Sequence, residues 1–239
     1  MNPFVPHTRL ALDSVDAAIF DMDGLLIDSE PLWKRAERES FAEVGIHISD
    51  EMAKVTAPMT TAEVAAHWFK YRPWKGPTTR DLEQRVISRV QSLVDELGET
   101  LPGVRDTLDA CRARGWRTAL ASNSPLLLCQ HVASTLRLSD SFDIILSSEQ
   151  VDRGKPAPDI YLEAARLLLT SPARCLVLED SASGVHAART AGMTVVAIPS
   201  AGQVFGTESH PPHAVFHSLS AFRQAHLPHM PELGPTALD

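Results

Sequence analysis

The strongest constraint in this sequence is a set of five short, largely apolar runs, four of which stop at a polar residue. Ala17-Ala18-Ile19-Phe20 stops at Asp21, and comparable runs cover 117–121, 142–146, 175–178 and 194–198. None alternates polar with apolar residues. A strand with one wet face must alternate, so runs of this kind fit strands buried on both faces of a parallel sheet. Helical patterns fill the gaps at 104–114, 125–136, 159–169 and 182–191. Gly115 and Gly192 stand where a helix ends in a left-handed residue, and Ser124-Pro125 reads as an N-cap followed by a first helical position. Strand and helix alternate from residue 103 onward, which predicts an α/β, doubly wound core around a parallel sheet.

The stretch after the first strand follows a different rule. It reads as helices only: 31–44 closed by Gly45, then 61–71, then 79–97 with Leu82, Val86, Val90, Leu93 and Leu97 on one face. Thr78 and Asp81 form a capping-box pair before the last of these. The predicted organisation is a catalytic core of residues 1–30 and 101–239 with an all-helical cap domain, 31–100, inserted into it. The hinges fall near 28–33 and 99–103, and the Pro-rich end, 226–239, is expected to be loosely ordered.

Charge and composition narrow the chemistry. The chain of 239 residues carries a net charge of −8 and no basic cluster, which argues against a nucleic-acid partner. An acidic protein that binds an anion needs a metal or a local cation to do so. No apolar run is long enough to cross a bilayer, and Met1–Arg9 lacks the charged head and apolar stretch of a signal peptide. Cys111, Cys129 and Cys175 are scattered and odd in number, and the histidines lack ligand spacing, so neither a disulfide framework nor a Cys-based zinc site is expected. A cytoplasmic monomer without membrane partners is the expectation.

Polar residues gather where the predicted strands end. The first strand delivers Asp21 and Asp23, the second Ser122 and Asn123, the loop after the third Lys155, and the fourth Glu179 and Asp180. Each piece alone has an ordinary explanation: a solvated Asp-x-Asp loop, a turn before a helix cap, an exposed lysine, acids favoured by a helix dipole. Together they fall at one topological place, because ligands of open parallel sheets bind beyond the carboxyl ends of the strands. Four carboxylates facing one lysine would repel each other unless a cation lay among them. All-oxygen ligation points to a hard ion, Mg²⁺ first, with room for a substrate phosphate. Ser122 and the N-terminus of the following helix could donate to that phosphate.

At these residues the chain resembles the haloacid dehalogenase superfamily of phosphohydrolases, over 15–219. Its four signatures stand in order: Asp21-Met22-Asp23-Gly24, Ser122-Asn123, Lys155-Pro156, and Glu179-Asp180-Ser181 with Gly184. The helical insert is similar to the cap of the β-phosphoglucomutase-like subfamily. Within it, 28–33 and 73–77 look like the bacterial hexitol phosphatases, also called 2-deoxyglucose-6-phosphate phosphatases. The resemblance implies a Rossmann-like core and a Mg²⁺-dependent phosphatase acting on small sugar or polyol phosphates of the hexose-6-phosphate type. It implies Asp21 as the nucleophile that becomes an aspartyl-phosphate and Asp23 as general acid and base. Ser122, Asn123 and Lys155, with Asp21 and Asp23, would bind substrate. The metal would be held by Asp21, Asp180 and the main-chain carbonyl of Asp23, with Glu179 as a further ligand or a supporting partner.

Two positions depart from relatives. Mutases of this family tend to have His where Trp33 stands, and Thr60 occupies about the place of an arginine that often grips substrate. Trp33, Trp68 and Trp74 are candidates for lining the cap or for filling its interior, with Trp68 favoured as interior. A phosphosugar mutase using the same nucleophile is the alternative enzyme reading, and a non-catalytic binding protein is the third.

Overall fold

The computed structural model describes residues 10–56, 59–200, 205 and 210–228. Met1–Arg9 and most of the C-terminal tail lie outside them, as do Ala57 and Pro58 beside Thr60. The chain runs β1 (Ala17–Phe20), α1 (Glu30–Ala42), α2 (Asp50–Thr56), α3 (Thr61–Tyr71), α4 (Thr79–Leu97), α5 (Val104–Ala113), β2 (Arg117–Ser122), α6 (Leu126–Thr135), β3 (Ile144–Ser147), α7 (Asp159–Leu167), β4 (Cys175–Glu179), α8 (Ala182–Thr190), β5 (Thr194–Ala197), β6 (Ala214–Val215) and α9 (Leu219–His226).

The strands form one parallel sheet in the order β3-β2-β1-β4-β5-β6. The apolar runs follow from this placement. Ala18, Phe20, Leu120, Leu176, Leu178 and Val196 point to one face, which α5, α6 and α9 cover. Their neighbours Ala17, Ile19, Ala119, Ala121, Val177 and Val195 point to the other, under α7 and α8. With both faces buried, the middle positions of the central strands are apolar. The order of winding across the sheet reverses between β1 and β4: the chain builds outward through β2 and β3, then returns to the far side of β1. That switch point opens a crevice at the carboxyl ends of β1 and β4.

Helices α1–α4 lie between β1 and α5, with α4 packed on both α1 and α3. Thr60 and Thr78 are N-caps, each in a reciprocal box with Glu63 or Asp81. Thr60 is therefore a helix cap in the place where a substrate-gripping arginine was noted as missing. Trp68 is 2% exposed, and Trp74 donates its indole N–H to the Pro77 carbonyl while packing edge-on against Phe41 and Phe69. Trp68 fills the insert's interior, and Trp74 packs half-buried against it. The two connections to the sheet are tied side by side: Leu101 N–H donates to the Leu26 carbonyl, and Ile27 bridges to Thr100. A second contact joins α4 to α6, where Asp95 accepts from Thr135 and pairs with His131.

Three short elements were not anticipated. Helix α2 has seven residues and β6 two, too few to show a period. Helix α9, capped by Ser218, buries Leu219 and Phe222 against the sheet side that α5 covers. The tail expected to be loose, 226–239, begins at the last residue of this docked helix, and residues from 229 onward lie outside those described. One cap was misplaced. Helix α6 begins at Leu126 with no side-chain bond from its N-cap, Pro125; the Ser124 hydroxyl turns to Asp23 instead. Among the described residues, no helix is long and apolar enough to cross a membrane.

Candidate active site

Asp21 follows β1 directly, and its N–H extends the sheet by donating to the Leu178 carbonyl. The chain then turns sharply at Gly24, whose φ is +76°. The Met22 carbonyl accepts from Leu25, Leu26 and Ile27, while those three side chains and Met22 are buried. This apolar anchorage fixes a polar loop: Asp21 and Asp23 project from a turn whose other members belong to the core. A side chain at Gly24 would also overlap the Asp180 carboxylate, so the absent Cβ lets the β1 and β4 loops meet.

Lys155 crosses beneath Asp21. Its ammonium donates to Asp21 Oδ1, to Glu179 Oε1 at 2.7 Å and to the Ala121 carbonyl at 2.9 Å. Asn123 braces that lysine: its side chain accepts from Lys155 N–H at 2.9 Å and donates to the Lys155 carbonyl at 3.0 Å. Asn123, expected at the substrate, thus has its side-chain amide engaged with the main chain of Lys155, whose bond to Pro156 is cis.

Glu179 is fully buried, and four donors surround its two oxygens. Lys155 and Tyr161 take Oε1, the latter at 2.8 Å, and the N–H and hydroxyl of Ser181 take Oε2, both at 2.9 Å. That nearly fills the lone-pair capacity of a carboxylate. Glu179, Asp21 and Asp180 can each place one oxygen within 4.8 Å of the others. Occupancy separates them: Glu179 is bound from behind, whereas no donor among the described residues takes Asp21 Oδ2.

The charge balance matches this picture. Burial opposes the Lys155 ammonium, but Asp21 and Glu179 outweigh it and hold the pKa well above its usual value. Burial likewise opposes ionised Glu179, yet Lys155 and the other donors hold it below the carboxylate range. Asp21 and Asp180 carry the surplus. Burial pushes Asp21 well up, against the pull of Lys155, with Glu179, Asp180 and Asp23 adding to the rise. Burial and then Glu179 bring Asp180 to about 7. A cation among these oxygens would relieve the rise, so the residues fit a hard metal ion.

Asp23 faces elsewhere. Its Oδ1 accepts from the Ser29 hydroxyl at 2.5 Å and the Trp33 indole N–H at 3.2 Å. Its Oδ2 accepts from Ser124 at 2.7 Å and Ser122 at 3.3 Å. Ser122 also accepts from Ser124 N–H at 3.0 Å, and Leu126 N–H, the start of α6, is taken by the Glu149 carboxylate at 2.8 Å. The expected helix N-terminus is therefore already answered by a carboxylate. Burial, with the charges of Asp23 and Asp21, pushes the Cys129 thiol far up, so it is no nucleophile at neutral pH.

Tyr161 was not singled out from sequence, Ser29 and Ser181 stood there only as members of longer signatures, and Ser124 only as a helix cap. Tyr161 sits at a helical core spacing between Ile160 and Ala164, where a buried phenol reads as packing. Its signal, a polar handle that needs a buried partner, becomes visible only once β4 lies beside α7.

Comparison with known proteins places this geometry. The family model for haloacid dehalogenase-like hydrolases matches residues 15–192. The chain is 43% identical to hexitol phosphatase B of Escherichia coli over 185 residues, 77% of this chain and 83% of that one. It is 31% identical over 179 residues to the phosphorylated carbohydrates phosphatase of Thermotoga maritima, covering 75% and 82% of the two chains. Among solved structures, that of CbbY from Rhodobacter sphaeroides in complex with phosphate superposes with a TM-score of 0.76 at 27% identity, over 86% of this chain and 95% of that one.

Proposed function

Because the chain belongs to the haloacid dehalogenase-like hydrolases, we propose that it is a Mg²⁺-dependent phosphatase of small sugar or polyol phosphate monoesters, working through an aspartyl-phosphate on Asp21. The observation that carries this reading is the set at the switch point: Asp21 buried on Lys155 with Asp180 close by, and Asp23, half-buried, two residues further along the same loop. The names of the two phosphatase relatives point to phosphorylated carbohydrates.

Asp21 attacks phosphorus in line. A bond forms between its carboxylate oxygen and phosphorus while the bond to the ester oxygen breaks. The electron pair stays on the ester oxygen, which takes a proton from Asp23 and leaves as an alcohol. Asp23, now a carboxylate, takes a proton from water as the water oxygen bonds to phosphorus. The aspartyl bond breaks, releasing inorganic phosphate and restoring Asp21. Lys155 neutralises charge on Asp21 and the phosphoryl group, and Ser122 donates to a phosphoryl oxygen. Asp21, Asp180 and the Asp23 main-chain carbonyl would hold Mg²⁺, with Glu179 orienting Lys155 from behind. The bound ion supplies positive charge where phosphoryl charge gathers, which is most of what phosphoryl transfer demands of a protein.

Residues 31–100 act in this reading as a cap domain over the 1–30 and 101–239 core, selecting the substrate. Three free, buried cysteines suit a reducing cytoplasm. The working form is a monomer, with a small phosphorylated metabolite as its partner. Release of inorganic phosphate from a panel of sugar and polyol phosphates, with and without Mg²⁺, tests the proposal. Metal-dependent release from hexose or hexitol phosphates is expected. Isomerisation of a sugar phosphate with little phosphate released would replace it by the mutase reading.

A further inference from the structure

The catalytic acid of the proposed reaction is held by four donors, and they are not alike. Three are hydroxyls, from Ser29, Ser122 and Ser124, whose hydrogens rotate to suit whatever lies near. The fourth is the indole N–H of Trp33, at 3.2 Å from Asp23 Oδ1. An indole N–H only donates, and its direction is fixed by the ring. The ring is itself held, packed against the apolar core that runs from the sheet into the insert. Its helix α1 begins just beyond the Asp23 turn, and the main-chain N–H of Trp33 donates to the Ser29 carbonyl at 2.9 Å, which locks the two Oδ1 partners into one helical turn.

The two carboxylate oxygens of Asp23 therefore differ. Oδ1 is faced by donors from the start of the insert, and Oδ2 by donors from the β2 loop, where Ser122 stands ready for a phosphoryl oxygen. We propose that Trp33 is a positioning residue: its rigid N–H, with Ser29, pins Oδ1 and presents Oδ2 as the oxygen that exchanges a proton with the ester oxygen. This rests on the reading of Asp23 as the acid and base. It also gives Trp33 a task other than lining the substrate pocket, because the polar atom of the ring is engaged with Asp23. Loss of the N–H leaves the rotating Ser29 hydroxyl as the sole holder of Oδ1 among the described residues, and the carboxylate plane is then free to turn.

The test compares Trp33→Phe with replacement of Trp33 by 3-benzothienylalanine, which keeps the shape of the ring and puts sulfur in place of the N–H. The isosteric replacement keeps the test decisive if the smaller ring disturbs folding. Steady-state kinetics are measured on a hexose phosphate, whose alkoxide leaving group needs a proton, and on p-nitrophenyl phosphate, whose phenolate does not. The expected result is a fall in kcat of about tenfold or more on the hexose phosphate, with kcat on the aryl ester within about twofold and KM unchanged, since positioned acids contribute about 10²–10⁴-fold. Equal losses on both substrates, an unchanged kcat, or a raised KM at constant kcat would each overturn the proposal, the last by showing that Trp33 touches substrate. Asp23→Asn is run alongside. If it is selective for the alkyl ester and the Trp33 replacements are not, the positioning role alone fails. If it too is unselective, the acid role of Asp23 fails with it.

Discussion

At the scale of single residues, the site is a contest over lone pairs and charge. Asp21 has one oxygen on Lys155 and no donor on the other among the described residues, which leaves it able to attack. Asp21→Asn removes the proposed nucleophile but keeps the shape, so turnover should vanish while the thermal unfolding midpoint stays or rises, the replaced charge being one that burial opposes. Residual turnover near the wild-type level would remove Asp21 from the mechanism. Tyr161 is the residue the sequence concealed. Its hydroxyl donates at 2.8 Å to Glu179, and burial keeps it a neutral phenol by pushing its pKa well up. Tyr161→Phe leaves a buried carboxylate one donor short, which should cost about 1–3 kcal/mol in denaturant unfolding. It should also lower kcat, since the Glu179 that orients Lys155 is loosened. A variant as stable and active as the parent would reduce Tyr161 to packing. Asp21, Asp23, Lys155 and Asp180 were legible because a strand end followed by a charged residue is a local pattern. Tyr161 was not, and Trp33 was legible only as a candidate for lining or filling the cap, because their partners lie 18 and 10 positions away on other elements.

At the scale of elements, glycine marks where two of them nearly touch. Gly184, in the first turn of α8, faces Glu179 so closely that a Cβ would overlap its carboxylate. Gly115, at the end of α5, has a φ of +75° but open space around it. The two should respond differently to alanine. Gly115→Ala should cost about 1–2 kcal/mol of backbone strain and leave turnover alone. Gly184→Ala should cost about 1–3 kcal/mol through overpacking and depress turnover as well, because the displaced carboxylate holds Lys155. Unfolding curves and kcat for both variants check this, and equal turnover would break the link between Glu179 and catalysis. The ends of β1, β4, α5 and α8 fell where expected since apolar runs and glycines set them locally. The start of α6 did not: Ser124 had a choice between the Leu126 turn and Asp23, and the fold placed Asp23 nearer.

For the whole molecule, the arrangement of strands concentrates negative charge at one crevice, and this has a consequence for stability. Asp180 titrates at about 7 in the fold against 3.8 for an ordinary aspartate. Through that window the folded state keeps a proton that the unfolded state has lost, so the metal-free protein should lose stability as pH rises from about 4 to about 7 and level off above. Asp21 is shifted in the same direction. Mg²⁺ competes with those protons, so its stabilising effect should be larger at about pH 8 than at about pH 5. Thermal unfolding with and without Mg²⁺ at the two pH values measures it, and Asp180→Asn should shrink the difference. A Mg²⁺ shift that is absent or independent of pH would remove Asp180 from the ligand set.

What the sequence determined by itself was the class of fold and which polar residues gather beyond the strand ends. Both are written in short-range terms: runs such as Ala17–Phe20 that tolerate no polar residue because both faces are covered, and acids, serines and a lysine placed just beyond their ends. Only the tertiary structure decided what each group does to the others. It gave Glu179 four hydrogen-bond donors, engaged the side chain of Asn123 with Lys155, and brought the Trp33 indole onto Asp23. Hydrogen bonds and burial depend on distances of a few ångströms between elements far apart in the chain, and no periodicity along the sequence encodes those distances.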